Sequence, residues 1–182
     1  MVWLSLPDIY EAMLSTGVRL GELLAIMPEN VDHVAKTVTI SHHVVWVKGK
    51  GLVREKLRKG REDGIVLKVP SWSLPMWLRL KIASGGGPLF PGWRGGLLDP
   101  SNTIDRVREA FDACGYEWLT SHVFRKTVAT IMDEAGLSTS AIADQLGNDV
   151  STVEKHYRAK RVQNEEGALA LETALGEERG AG

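Results

Sequence analysis

The sequence predicts a mainly α-helical fold with a small three-stranded antiparallel β-sheet. Three observations carry this expectation. Apolar residues recur at helical spacing at both ends of the chain, first between Leu6 and Met27 and again from residue 74 onward. One block, residues 37–69, is instead β-branched and aromatic and is broken by glycine-containing turns. The chain of 182 residues is also long enough for one domain with a sizeable core, and its 43% hydrophobic and 25% charged content suits a globular protein.

Taken in order, Ser5 can cap a first helix whose early residues are Pro7 and Asp8, with Ile9, Met13 and Leu14 on one face. Gly17 interrupts it. A second amphipathic segment, Arg19–Met27, turns Leu20, Leu23, Leu24 and Met27 inward before Pro28 stops it. Arg19 therefore follows the turn Ser15-Thr16-Gly17 and projects from it, where a solvated surface arginine is the default reading. Thr37–Val47, Leu52–Leu57 and Ile65–Val69 read as three antiparallel strands joined by tight turns. Seven Lys or Arg and one acid, Glu55, lie between Lys48 and Arg61. Such a cationic hairpin is commonly a solvated edge that resists aggregation. The alternative is a finger lying along a phosphate backbone.

Pro70 ends the sheet, and Leu74–Ala83 forms a short helix carrying Trp77 and Leu78. The triplet Gly85-Gly86-Gly87 opens a long loop; without a following Lys-Ser/Thr it is a hinge and not a phosphate cradle. Phe90, Trp93, Leu97 and Leu98 are expected to pin that loop to the body. Ser101 or Asn102 caps a helix to Ala113 with Ile104, Val107, Ala110 and Phe111 inward. Ser121 caps the next helix, to Ala135, on which His122 and Arg125 share a face and Val128, Ala129 and Met132 face the core. Ser138–Leu146 is another helix, ended by Gly147. Ser151 and Glu154 form a capping box for a short helix that delivers Tyr157. This helix–turn–helix character also matches a simple DNA-binding module. Beyond Arg161, Asn164 can cap a terminal helix with Leu169, Leu171 and Leu175 on its apolar side. That helix must dock in cis or on a neighbouring molecule.

Several function classes recede on composition. Cys114 is the one cysteine, which suits a reducing cytoplasm and a packing role. No apolar run approaches membrane-spanning length, and the N-terminus lacks a signal-peptide pattern. His42 and His43 are adjacent, so they point to opposite faces of a strand, and no other His/Cys/carboxylate cluster suggests a metal site. The formal charge of -1 is uninformative about a polyanionic partner.

What remains is Arg19, a hairpin lysine, His122, Arg125 and Tyr157. Two arginines can each grip the non-bridging oxygens of a phosphate, and fixed cations stabilise the charge added in a pentacoordinate transition state. A tyrosine oxygen is a competent nucleophile at phosphorus if held in line with the leaving group, and a lysine can protonate the departing alkoxide.

The segments Ser15-Thr16-Gly17-Val18-Arg19-Leu20-Gly21-Glu22-Leu23, His122-Val123-Phe124-Arg125 and Leu146-Gly147-Asn148, the last followed nine residues later by Tyr157, resemble the conserved boxes of tyrosine recombinases of the phage-integrase type. The similarity spans Leu6 to Arg161 with order and spacing kept. The resemblance implies the integrase catalytic-domain fold over residues 1–162, with 163–182 as a tail that docks in trans. It implies Arg19 as first catalytic arginine supported by Glu22, and His122 and Arg125 as the H-x-x-R pair. It implies Tyr157 as the nucleophile of a 3′-phosphotyrosyl intermediate, formed without metal or other cofactor. Lys59 is the best match to the family's catalytic lysine and Lys56 the next. Lys48, Lys50, Arg54, Lys56 and Arg58 are DNA-contact candidates. Asn148 stands where the family usually has His or Trp, and its amide can still donate a hydrogen bond to a phosphate oxygen. The resemblance also implies double-stranded DNA as partner, a synaptic tetramer on that DNA, a monomer for the isolated domain, and a cytoplasmic location. An N-terminal clamping domain is usual in the family. The sequence is therefore expected to be the catalytic part of a longer protein, binding DNA weakly by itself. The rivals are a non-catalytic helix–turn–helix module and a type IB topoisomerase-like enzyme.

Overall fold

The computed structural model describes residues 6–57 and 64–156. Its first helix, α1 (Leu6–Thr16), buries Ile9, Ala12, Met13 and Thr16, the one-face pattern of a 3.6-residue period. Leu14, expected on that face, is next to Met13 in sequence, lies about 100° around the helix, and is exposed. Gly17, in the left-handed region at φ 72°, ends α1, its N–H bonded to Met13 O at 2.7 Å.

The helix expected over 19–27 is much shorter. Only α2 (Leu20–Leu23) is α-helical. Its continuation tightens to three-residue hydrogen bonds, Ala25 N–H to Glu22 O and Ile26 N–H to Leu23 O. Leu23, Leu24, Ala25 and Ile26 are all buried, so this stretch has no solvent face for a longer amphipathic helix to present.

The β region differs from expectation in its wiring. The strand foreseen over 37–47 is two, β2 (Thr37–Ile40) and β3 (His42–Val47), parted at Ser41. β2 lies between a short β1 (Val31–Asp32) and β5 (Ile65–Lys68) in a three-stranded antiparallel sheet. β3 pairs separately with β4 (Gly51–Lys56), from His42 opposite Lys56 to Val47 opposite Gly51. β4 and β5 thus pair with successive stretches of one ribbon and not with each other. The change of partner happens because β5 reaches only to Ile65, opposite Ile40. Val38, Ile40 and Val44 keep one alternating buried face across the break.

α3 (Leu74–Ala83) buries Trp77 edge-on to Phe90, with ring centroids 6.3 Å apart. Leu78 lies outside. A charged pair between Asp8 and Arg79 ties α1 to α3. In the following loop Phe90, Leu97 and Leu98 pack on the core as expected, but Trp93 does not. It is 84% exposed, with the Arg94 guanidinium 4.4 Å above its ring. Asp99, not Ser101 or Asn102, caps α4 (Pro100–Ala113), accepting from Ser101 N–H, and Pro100 takes the first helical position.

α5 (His122–Glu134), α6 (Thr139–Leu146) and α7 (Val150–His156) complete the described fold. Ser121 precedes α5 with helical backbone angles and no side-chain cap bond. Ser138 does cap α6, and Gly147 ends it in the left-handed region. α7 starts one residue before Ser151, on the Asp149 carbonyl. Tyr10 stacks between Phe111 and Phe124, at 5.7 and 5.1 Å, so α1 is clamped by α4 and α5. Two cores result. The large one joins α1–α4 and the strands. A smaller one joins α5, α6 and α7 through Val128, Ala129, Ile142, Ala143, Leu146 and Val153.

Candidate active site

Where the two cores meet, two four-residue stretches face each other: Thr16–Arg19 between α1 and α2, and Gln145–Asn148 at the end of α6. Helix ends leave carbonyls without partners, and here the α1 end finds them across the interface. Gln145 Nε2 donates to Thr16 O at 2.9 Å. Arg125 Nη1 donates to Gly17 O at 2.7 Å and its Nη2 to Leu146 O at 2.5 Å. Arg19 Nη2 donates to Asn148 Oδ1 at 2.7 Å. The positive φ of Gly17 favours glycine there, and the close approach adds to that. A Cβ there would sit 2.7 Å from Leu146 Cδ2, on a backbone that side chains rarely adopt.

Arg19 follows this turn at the start of α2, as expected, and Glu22 holds it at two points. Glu22 Oε2 accepts from the Arg19 backbone N–H and Oε1 from Nη1, both at 3.0 Å. Glu22 is buried and the Arg19 side chain is 46% exposed, so the arginine reaches outward from a fixed base. Arg125 is its opposite, 1% exposed and reaching between the two stretches. Both arginines and His122 line one cleft of about 230 Å³ with Met13, Leu20 and Pro100. The structure thus brings together Arg19, His122 and Arg125, and joins Asn148 to them through Arg19. Asn148 does not merely cap the following turn. Its Oδ1 receives Arg19, and its buried Nδ2 has no partner among the described residues. Such unsatisfied buried donors are uncommon in folded proteins, and this one lies beside the cationic cleft through its bond to Arg19.

The His122 imidazole is held below its ordinary pKa, first by burial and then by the charges of Arg125, Arg19 and Lys126. It is therefore neutral at neutral pH, able to accept or donate. The unfolded chain protonates this histidine near pH ~6.5, the folded chain only at lower pH. Stability should fall as pH drops below that range, and His122→Gln should flatten part of the fall. His42, lowered by burial and by Arg54 and Lys56, supplies a part that remains. Urea midpoints between about pH 5 and 8 check this; an unchanged slope would contradict the assignment.

The remaining candidates divide. Lys48 and Lys50 are exposed at the β3–β4 turn, and Lys56 is exposed at the end of β4. Arg54, expected to touch DNA, is instead committed internally. Its Nε donates to Ala25 O at 2.8 Å and its Nη2 to Asn30 Oδ1 at 3.2 Å, so it ties β4 to the segment after α2. It faces inward because it shares the β4 face that pairs with Val44. Arg58, Lys59, Tyr157 and the tail lie outside the described residues. In sequence, Tyr157 is the next residue after α7, a helix packed against α6. Gln145 was not singled out by the sequence. A glutamine in the last turn of a helix gives no signal of a partner 129 positions away.

Known proteins resemble this chain in sequence and fold. "Tyrosine recombinase XerC" of Corynebacterium efficiens is 28% identical over 142 residues, covering 77% of this chain and 41% of that protein. The structure of the Tn1549 transposon integrase in complex with transposon right end DNA superposes with a TM-score of 0.72 at 17% identity, covering 97% of this chain and 60% of that one. The XerA recombinase crystal structure gives 0.62 at 21% identity, covering 96% and 63%. The chain thus spans less than two thirds of the length of each, and at these identities the structural likeness establishes the fold, mainly helical with a small antiparallel sheet. The profile described as "Phage integrase family" matches residues 6–164. Matched from its first helix to beyond Tyr157, the chain belongs to the phage integrase family.

Proposed function

We propose that this chain is the catalytic domain of a site-specific DNA recombinase. It breaks and rejoins DNA by metal-independent transesterification through a 3′-phosphotyrosyl intermediate. The observation that carries the reading is the cleft shared by Arg19, His122 and Arg125, with the Asn148 amide, whose Nδ2 has no partner among the described residues, beside it. A scissile phosphate there receives charge-assisted hydrogen bonds from the arginines and the Asn148 amide. The Tyr157 oxygen attacks phosphorus as its proton leaves to a base, a role for which His122 is the candidate. The P–O5′ bond breaks, and Lys59, or Lys56 in its place, supplies the proton to the departing 5′-oxygen. One phosphodiester replaces another, so no external energy source is needed.

A pool of short nicked duplexes of randomised sequence tests this directly. Cleavage near a nick frees a fragment and traps the enzyme, so an SDS-resistant protein–DNA adduct should form. Its absence at all sequences would end the reading. A plain helix–turn–helix module would bind without any adduct.

Lys48 and Lys50 contact the DNA backbone from the hairpin tip. Replacing both by glutamine should reduce the slope of log affinity against log salt by about 2, whatever the sequence bound. An unchanged slope would remove the hairpin from the interface. The partner is double-stranded DNA in the cytoplasm, where the domain alone is monomeric and the DNA-bound form a synaptic tetramer. The tail from residue 163 docks on a neighbouring subunit. Its removal should abolish strand exchange between two sites while sparing single-site cleavage. Equal loss of both would argue against docking in trans and leave a topoisomerase-like activity open.

A further inference from the structure

We infer that Gln145 is a positioning residue for Arg19, one that sets catalytic rate without touching the DNA. The inference rests on the functional reading above and extends it to a side chain with no phosphate role. Three links stitch residues 16, 17 and 19 to residues 145, 146 and 148. The two involving Arg125 and the Arg19–Asn148 pair depend on groups that must also hold the phosphate. Gln145 Nε2 to Thr16 O is the link free of that second duty.

Its place explains why it matters. Thr16 is fully buried, and its carbonyl is one of those that α1 leaves without an intrahelical partner. The next residue is a glycine in the left-handed region, where the backbone has unusual freedom to swing. Arg19 is the third residue along. Glu22 fixes Arg19 relative to α2, but it does nothing to fix α2 and the turn relative to α6. Gln145 does, at 2.9 Å, from the residue directly before the Leu146 carbonyl that Arg125 holds. Without it the turn is held to α6 through Arg125 and the Arg19–Asn148 pair, groups that also engage the phosphate, and Arg19 gains room to shift relative to Arg125 and His122. A displacement of about 1 Å in such a group costs on the order of 100-fold in rate.

Three substitutions separate the hydrogen bond from packing. Gln145→Met keeps the volume and loses the donor. Gln145→Glu places an acceptor against the Thr16 carbonyl. Gln145→Lys restores a donor of similar reach. Single-turnover cleavage is measured at saturating protein on a nicked duplex recovered from the randomised pool by the unmutated 182-residue chain, together with thermal midpoints. The expected result is a loss of roughly 10- to 100-fold for Met, a larger loss for Glu, and partial recovery for Lys, with DNA affinity little changed. The decisive arm repeats Gln145→Met in an Arg19→Lys background. A residue acting through Arg19 should cost less than about threefold there, because coupled sites are non-additive. Multiplicative losses, no loss in the single variant, or losses that follow the thermal midpoint across all three variants would each overturn the inference. These outcomes leave the functional reading standing. Failure of the unmutated chain to form any adduct would defeat that reading and this inference with it.

Discussion

Tyr157→Phe is expected to eliminate the covalent adduct, a loss of more than about 10⁴-fold, while leaving noncovalent DNA binding within about twofold. The change deletes one oxygen. Arg19 and Arg125, the cations of the cleft, carry no nucleophile that could replace it. Tyr10 is engaged between Phe111 and Phe124 in the large core, and Tyr116 is an exposed residue past the end of α4. Neither is placed to substitute. Adduct formation on nicked duplex, followed by peptide mapping of the attached residue, checks the expectation. An adduct that persists in Tyr157→Phe would assign the chemistry to another side chain.

Arg125→Met should fail in two ways at once. The Gly17 and Leu146 carbonyls lose buried partners, at a cost of about 1–3 kcal/mol for each group left unpaired. Relief of burying the guanidinium offsets part of that, so a net loss of about 2–4 kcal/mol follows. Cleavage should drop by about 10³-fold or more even at temperatures where the variant stays folded, because a fixed donor to the transition state is gone. Arg19→Met is the useful contrast. Its side chain is 46% exposed and its ion pair with Glu22 lies partly in solvent, where such pairs contribute up to about 1 kcal/mol. It should lose comparable activity with little change in stability. Chemical denaturation and single-turnover cleavage on the same preparations separate the two arginines; equal destabilisation by both would contradict the geometry.

Much of this site was legible in the sequence because its groups sit where local rules place them. The Ser15-Thr16-Gly17 turn puts Arg19 at a helix start, and three-residue spacing puts His122 and Arg125 on one face of α5. The left-handed Gly147 ends α6 where a C-cap glycine should. The fold class was equally plain from periodicity. What escaped was long-range. Nothing local tells that Arg54 turns inward to Ala25 and Asn30, since that depends on which face of the hairpin meets α2. The split at Ser41 depends on how far β5 reaches along the ribbon. Trp93 looked like core by residue type, yet glycines on both sides of the Trp93-Arg94 pair let that turn stand away from the body. Gln145 became visible only when residues 129 positions apart met.

The division into two cores has a mechanical consequence for the helix that precedes Tyr157. Among the described side chains of α7, Val153 is the one buried in the smaller core. Burying one valine contributes about 1.5–3 kcal/mol, well below the 5–15 kcal/mol that typically holds a whole domain folded. Among the described residues, lifting α7 off α6 therefore gives up little apolar burial. Arg19, His122 and Arg125 stay assembled on the elements beneath it. The arginines and His122 are built into the frame, whereas α7 is fastened to it through a small apolar contact.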